Sequence, residues 1–280
     1  MASAKAITPV EVSTSDVAFL QYTGGTTGVS KGATLSHGNV LSNSAQNDIW
    51  LEAIFTKTAR AAAALCALPL YHAFRTDREC DWRHEFGRAQ CADPQSARHS
   101  RFCPGTGEIQ FHVFPVSTRC SLGLLNNDGF HKLDFSNLLL TLAAAWRCRG
   151  RWRSAEQVTG CIISEGYGLS ETAPVATANR FGCRNRCRND RPALPSTEIS
   201  IRDDDGKELP LGEVGEICIK GPQVMLGYWN RQDETAKVMT PDGFFRSGGM
   251  GFMDDKGYTK IVDRKKDMIL VSASMSIQTR

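Results

Sequence analysis

The 280-residue sequence contains no run of about 18 apolar residues, so no segment can cross a bilayer as a helix. Its opening, MASAKAITPVEVS, lacks the apolar centre of a secretory signal, which makes the cytoplasm the expected compartment. Lysine is absent from three stretches, 75–122, 143–155 and 182–193, although these hold 15 of the 22 arginines. They also hold seven of the ten cysteines and three of the five tryptophans. Their seven acidic residues leave a local charge of +8, so a chain of net charge +3 stands at −5 elsewhere. Arginine without lysine, and without a helix face or interleaved aromatics, is not a nucleic-acid surface, and no nucleic-acid partner is expected. Cys183 and Cys187 lack a matching second pair, which argues against zinc.

With 41% hydrophobic residues the chain can bury a sizeable core, as one large domain or two small ones. Residues 16–74 follow folded-protein patterns: a strand-like VAFLQY, a Gly/Thr/Ser loop, a helix from His37 to about Leu51, and a strand ALCALPLYH ending in Tyr71 and His72. After Phe74 neither helical nor strand periodicity survives in RTDRECDWRHEFGRAQC. Patterning returns in LGLLNNDGFHKLDFSNLLLTL and VTGCIISEGYGLSETAPV, and fails between and after them in AAAWRCRGRWRS and GCRNRCRNDRPA. From Leu194 strands TEISI, EICIK, YTKIV and MILVS alternate with turns DDDGKE, TPDG and DDKG.

Three segments carry chemistry. The first, residues 22–32, reads YTGGTTGVSKG after an apolar strand. Gly24, Gly25 and Gly28 let backbone amides approach phosphate oxygens, Thr23, Thr26, Thr27 and Ser30 offer hydroxyl donors, and Lys31 adds a positive charge. Lys31 follows Ser30 and precedes Gly32, so this is not the Gly-Lys-Ser/Thr ending of a Walker loop, and a plain surface turn is the alternative. The second, EGYGLSET at 165–172, offers Tyr167 to lie against a base, Thr172 to bond phosphate and Glu171 to hold Mg²⁺. Alone it equally suits a turn capped by Ser170. The third, at 212–272, contains GEICIKGPQVMLGYWN, DGFFRSGGMGFMD and YTKIVDRKKDMILVS.

In this order and spacing, the three segments resemble the adenylate-forming superfamily, and GPQVMLGYWN with VDRKKDMILVS resembles the AMP-forming long-chain fatty-acid CoA ligases. The resemblance covers roughly three quarters of the chain. It implies an α/β fold: a partial adenylation core at 1–193, the β-rich subdomain at 194–262, and a hinge with the start of a C-terminal domain at 263–280. It further implies that a fatty acid and ATP form an acyl-adenylate and pyrophosphate, after which CoA, as co-substrate, displaces AMP. In these terms residues 23–31, including Thr23, Gly24, Gly25, Thr26, Thr27, Gly28 and Lys31, wrap the β- and γ-phosphates. Tyr167, with Gly168 beside it, stacks on adenine; Thr172 touches the α-phosphate; Glu171 coordinates Mg²⁺. Arg264 binds ribose or phosphate, Asp263 sits at the hinge, and His72 lines the acyl cleft, although a lone strand-end histidine is commonly just a satisfied polar residue. Attack at an α-phosphate calls for charge neutralisation and positioning rather than a covalent protein group, which suits this set. Peripheral contact with the inner membrane accompanies the lipid substrate, although no basic amphipathic helix is visible.

Two departures stand out. Gly249 occupies the place where the family has an aspartate that grips the ribose hydroxyls, and loss of a charged acceptor weakens binding by about 1.5 to 3 kcal/mol per bond. Codons permitted by the tail ASMSIQTR, shifted by one base, can encode GFNVYPNE, the text the family carries there. Neighbouring frames likewise give NAIGVMNLGGLN for ECDWRHEFGRAQC, GGGMAVPRA for AAAWRCRGR and AAEIGAGTIGLP for GCRNRCRNDRPA. The expectation is that 75–122, 143–155, 182–193 and 273–280 are frameshifted relative to a functional ancestor, in a fragment whose family continues at both ends. The alternatives are a noncatalytic pseudogene remnant and a fatty-acyl-AMP ligase or other adenylation enzyme.

Overall fold

A computed structural model describes residues 10–23, 29–55, 64–66, 89–91, 112–117, 126, 128–144, 156–161, 163–179, 191–265, 269–271 and 274–276. The expectation for VAFLQY holds as β1 (Val17–Thr23), but the next element is a second strand, β2 (Lys31–Ser36), pairing antiparallel with β1 from Val17 opposite Ser36 to Thr23 opposite Lys31. The glycine-rich segment is therefore a hairpin loop. KGATLS reads as polar loop text, yet all but its first residue is buried, because β2 lies between β1 and β11 (Gly227–Tyr228).

Helix α1 (His37–Phe55) follows directly and runs four residues past its expected end. It is only weakly amphipathic in the hydrophobic sense because much of its inward face is made of amides: Asn39, Asn43, Gln46 and Asn47 are all buried, with Leu51 one turn further on. Buried amides need partners, and these have backbone carbonyls. Asn39 Nδ2 donates to the carbonyls of Pro222 (2.7 Å) and Val224 (2.9 Å). Asn43 Nδ2 donates to the Val175 carbonyl (2.7 Å) while its Oδ1 accepts from the Val175 N–H (3.2 Å). Gln46 Nε2 donates to the Pro195 carbonyl (2.6 Å). One helix thus fixes three loops far apart in sequence.

A six-stranded sheet has the order β4-β3-β5-β6-β7-β8, from β3 (Ala64–Cys66), β4 (Ala89–Cys91), β5 (Val113–Ser117), β6 (Leu140–Ala144), β7 (Ile163–Tyr167) and β8 (Thr177–Ala178). All of its pairs are parallel except β7 with β8. The described strand within ALCALPLYH is confined to β3, and β4 and β5 fall inside the unpatterned stretch 75–122. From Leu194 the sequence reading holds closely. TEISI, EICIK and YTKIV become β9 (Glu198–Arg202), β10 (Gly215–Lys220) and β13 (Thr259–Arg264), joined with β12 (Phe245–Met253) in the antiparallel order β13-β12-β10-β9. MILVS contributes β14 (Ile269–Val271), paired with β15 (Ser274–Ser276). The turn DDKG closes as foreseen: Gly257, at φ 76°, donates its N–H to the Asp254 carbonyl, and the Asp254 carboxylate accepts from the N–H of Tyr258. A short helix α2 (Gln232–Val238) follows β11.

One apolar core holds these parts together. Ala33 and Leu35 of β2, Tyr167 at the end of β7, Ala173 and Ala176, and Ile201, Ile217, Ile219 and Phe245 of the antiparallel sheet form a single buried cluster. Burying a side chain such as Ile217, completely inaccessible here, contributes about 2 kcal/mol. The hairpin, the segment after β7 and the antiparallel sheet therefore meet along one seam. Among the described residues no helix is long and apolar enough to cross a membrane, which says nothing about a β-barrel.

Candidate functional site

The base of the hairpin loop is closed by two hydrogen bonds. Ser30 Oγ donates to the Thr23 carbonyl (2.9 Å) and Thr23 Oγ1 to the Lys31 carbonyl (3.3 Å), so both hydroxyls brace the loop in this structure. Gly24, Gly25, Thr26, Thr27 and Gly28 lie outside the described residues, as does His72. Lys31 projects from the first position of β2 and forms an ion pair with Glu234 of α2, while its ammonium lies 5.2 Å from the centroid of the Tyr228 ring. Glu234 also pairs with Lys237 at 2.6 Å; bonds from Lys237 and then Lys31 pull its carboxyl down to about 2.

The segment after β7 turns sharply. A 3-10 turn (Ser170–Thr172) leads to Ala173 in the left-handed region at φ 50° and a cis peptide bond to Pro174. Gly168 is required here because a Cβ would run into the Pro174 backbone. Thr172 is wholly inaccessible: its Oγ1 accepts from the Leu169 N–H (2.9 Å) and lies 3.0 Å from the Leu169 carbonyl and 3.1 Å from that of Pro174. In this conformation the hydroxyl shapes the turn. Glu171 is buried at 6% exposure; its carbonyl accepts from the Met225 N–H (2.9 Å) and its Oε1 from the Tyr228 hydroxyl (2.8 Å). Burial, followed by the Glu171 charge, pushes the Tyr228 phenol far up, so it stays protonated and donates.

Beside this turn lies a cavity of about 360 Å³ bordered by Glu171, Glu216, Tyr228, Lys237, Arg246 and Lys265. Its charged side groups are prearranged. Arg246 donates from Nε (3.0 Å) and Nη2 (2.8 Å) to Glu216 Oε2, Lys265 reaches the same oxygen at 3.1 Å, and the Gly248 N–H donates to Oε1 at 3.0 Å. Burial alone would raise the Glu216 carboxyl, but its bonds to Arg246 and Lys265 outweigh that and hold it below the usual range. Glu216 is thus saturated with donors, whereas Glu171 has a hydrogen bond to one oxygen only among the described residues. Mg²⁺ is commonly held by one or two carboxylates together with substrate phosphates and water rather than by an all-protein cage. Glu171 borders the cavity as one carboxylate of the kind this mode uses, and among the described residues there is no group of three or more His, Cys, Asp or Glu that could hold a metal.

The remaining candidates are more dispersed. Tyr167 is buried in the core seam, and its hydroxyl donates to Ser247 Oγ (2.8 Å). Gly249 lies opposite Arg264 in the β12–β13 pair, and a Cβ at Gly249 would overlap the Tyr167 hydroxyl. Asp263 is an internal residue of β13, 1% exposed. Cys183 and Cys187 lie outside the described residues, and the buried Cys161 and Cys218 are not joined in disulfides. Sequence reasoning singled out neither Tyr228 nor Glu234. Tyr228 stands inside the quoted GPQVMLGYWN, but its partner Glu171 is 57 residues away, and no local signal reports that pairing.

The sequence matches the AMP-binding enzyme family over residues 2–229. It is 40% identical over 272 residues to a long-chain-fatty-acid–CoA ligase of Salmonella typhimurium, covering 94% of this chain and 46% of that protein. A long-chain-fatty-acid–CoA ligase of Bacillus subtilis is 35% identical over 262 residues, covering 91% and 45%. The chain spans about half the length of the curated relatives it matches. Among solved structures, ATP-bound MatB from Rhodopseudomonas palustris superposes with a TM-score of 0.78 at 27% identity, covering 96% of this chain and 52% of that one.

Proposed function

The chain belongs to the AMP-binding enzyme family, with the α/β adenylate-forming fold, and from that premise we propose that its cavity serves ATP-dependent activation of a long-chain fatty acid to acyl-AMP and then acyl-CoA. The observation that carries this reading is the meeting of Lys31, Tyr228 and Glu171, in which Lys31 lies against the Tyr228 ring and Tyr228 and Glu171 border the cavity. Two segments 140 residues apart, the second of them weak alone, converge on a cation and a carboxylate suited to a metal–phosphate group.

In the first step a carboxylate oxygen of the fatty acid attacks the α-phosphorus of ATP, and the bond to the bridging oxygen breaks, so pyrophosphate leaves with that electron pair. In the second, the CoA thiolate attacks the acyl carbon and AMP departs. The protein's task is positioning. Lys31 neutralises phosphate charge in exchange for Glu234, and the hairpin hydroxyls and Thr172 keep the loop and turn in place. Mg²⁺ bound with Glu171 would supply Lewis-acid neutralisation of the phosphates. Tyr167 against adenine, Arg264 toward ribose or phosphate and His72 at the acyl cleft complete the reading, as does a division at residues 193 and 262 into core, β-rich subdomain and hinge. A cytoplasmic enzyme meeting its lipid substrate at the inner membrane surface is consistent with it.

A second reading has its own support. Gly249 provides no carboxylate for ribose, and the Tyr167 hydroxyl occupies the space a side chain there would need, which favours a noncatalytic remnant with weakened nucleotide binding. Frameshifts at 75–122, 143–155, 182–193 and 273–280 belong to the same reading; resequencing the gene decides them, since one uninterrupted frame encoding these residues removes the explanation. The two functions separate in a pyrophosphate-exchange assay with ATP and palmitate. Palmitate-dependent incorporation of labelled pyrophosphate into ATP supports the ligase, and none supports the remnant. With CoA omitted, stable acyl-adenylate would point instead to a fatty-acyl-AMP ligase or another adenylation enzyme.

A further inference from the structure

We infer that Tyr228 is a positioning residue that aims Glu171 at a metal–nucleotide complex and joins that carboxylate to the lysine at the base of the phosphate hairpin. The inference rests on the functional reading above and adds to it a residue whose part in the site follows from its contacts. Tyr228 donates its hydroxyl to Glu171 Oε1 at 2.8 Å, and the face of the same ring lies 5.2 Å from the Lys31 ammonium. One side chain therefore touches both charged groups of the proposed site.

The backbone of Tyr228 is fixed on two sides. As the second residue of β11 it pairs with Ala33 of β2, two positions from Lys31. Its N–H donates to Thr235 Oγ1 of α2 at 2.8 Å, and that hydroxyl in turn lies 3.0 Å from the Arg231 carbonyl. Gly227 before it adopts φ 143°, and a Cβ there would press against the Thr235 side chain, leaving little room for a side chain. A ring on so fixed a backbone can impose an orientation on a neighbouring carboxylate. Glu171 borders the cavity with Oε1 engaged by Tyr228, and hydrogen-bonded partners of metal-binding side chains typically matter about 10- to 100-fold for metal affinity.

The hydroxyl and the ring can be removed separately. Calorimetric titration of the 280-residue chain with ATP in Mg²⁺, and again with ATP in EDTA, reads the metal-dependent part of binding. Tyr228→Phe keeps the ring over Lys31 but loses the donor; it is expected to weaken Mg·ATP binding about tenfold and leave metal-free ATP within about twofold. Tyr228→Leu loses both and is expected to weaken both forms. Combined with Glu171→Gln, Tyr228→Phe should add nothing, because the group it positions is already altered. Circular dichroism and melting of each variant establish that it folds. Equal weakening of both nucleotide forms by Tyr228→Phe, or no weakening of either, overturns the inference alone. A wild-type chain that binds ATP in neither form overturns the functional reading and this inference with it.

Discussion

Two polar assemblies, one buried and one partly exposed, are held by different means. Along α1, the neutral amides of Asn39, Asn43 and Gln46 bond to backbone carbonyls of three loops. Across the cavity, Glu216 is bonded by Arg246 and Lys265, while Lys31 pairs with Glu234. The amides carry no charge and no titratable proton, so what they fix is insensitive to pH and salt. The charged set can exchange partners, and in the proposed function a phosphate takes the place of a carboxylate. Neutral bonds thus stand where geometry is constant, and ionic ones where the proposed ligand would enter.

The largest expected effect breaks the amide side. Asn43→Leu removes both bonds to Val175 and leaves its buried N–H and carbonyl without these partners, so urea unfolding should show a loss of about 3 kcal/mol, unchanged between low and high salt. Glu216→Gln tests the other side; the paired cations are partly exposed, and the expected loss is about 2 kcal/mol at neutral pH. Because the folded Glu216 carboxyl lies below the usual carboxylate range, its contribution is fully present above that range and lost as pH falls through the lower folded value. Wild type should therefore lose stability on acidification below about pH 4.3, and Glu216→Gln should flatten that part of the curve. Glu234, at about 2, follows the same sign, whereas Asn43→Leu should leave the acid limb's shape unchanged.

Gly249→Asp introduces a side chain where the Tyr167 hydroxyl sits, so a stability cost of about 1.5 kcal/mol is expected from forced repacking. If the carboxylate recovers contact with ribose, ATP binding should tighten about tenfold by calorimetry even as the melting temperature falls. Lys237→Ala, which removes an exposed partner of Glu234, should leave stability unchanged within error in the same unfolding assay.

The antiparallel sheet was legible because its strands alternate and its turns carry Asp and Gly at defined offsets, as in DDKG before Tyr258. Of the two candidate motifs, residues 22–32 stood out in the sequence by their density of glycines and hydroxyls, whereas EGYGLSET alone equally suited a capped turn. β2 was not, because KGATLS lacks large apolar residues and owes its burial to strands on both sides. The inward face of α1 was hidden for a related reason: hydrophobic periodicity does not register amides that are buried by bonding to backbone. Tyr228 and Glu234 acquire their importance from partners 57 and 203 residues away, through contacts that only the folded chain makes.

The central claim, that the triphosphate of ATP is received between Lys31 and Glu171, is tested most directly by titrating ATP with Mg²⁺ into the wild-type chain and into Lys31→Ala and Glu171→Gln. Saturable binding that weakens about tenfold or more in each variant is the expected result. Binding equally tight in all three proteins would place the nucleotide elsewhere and contradict the account.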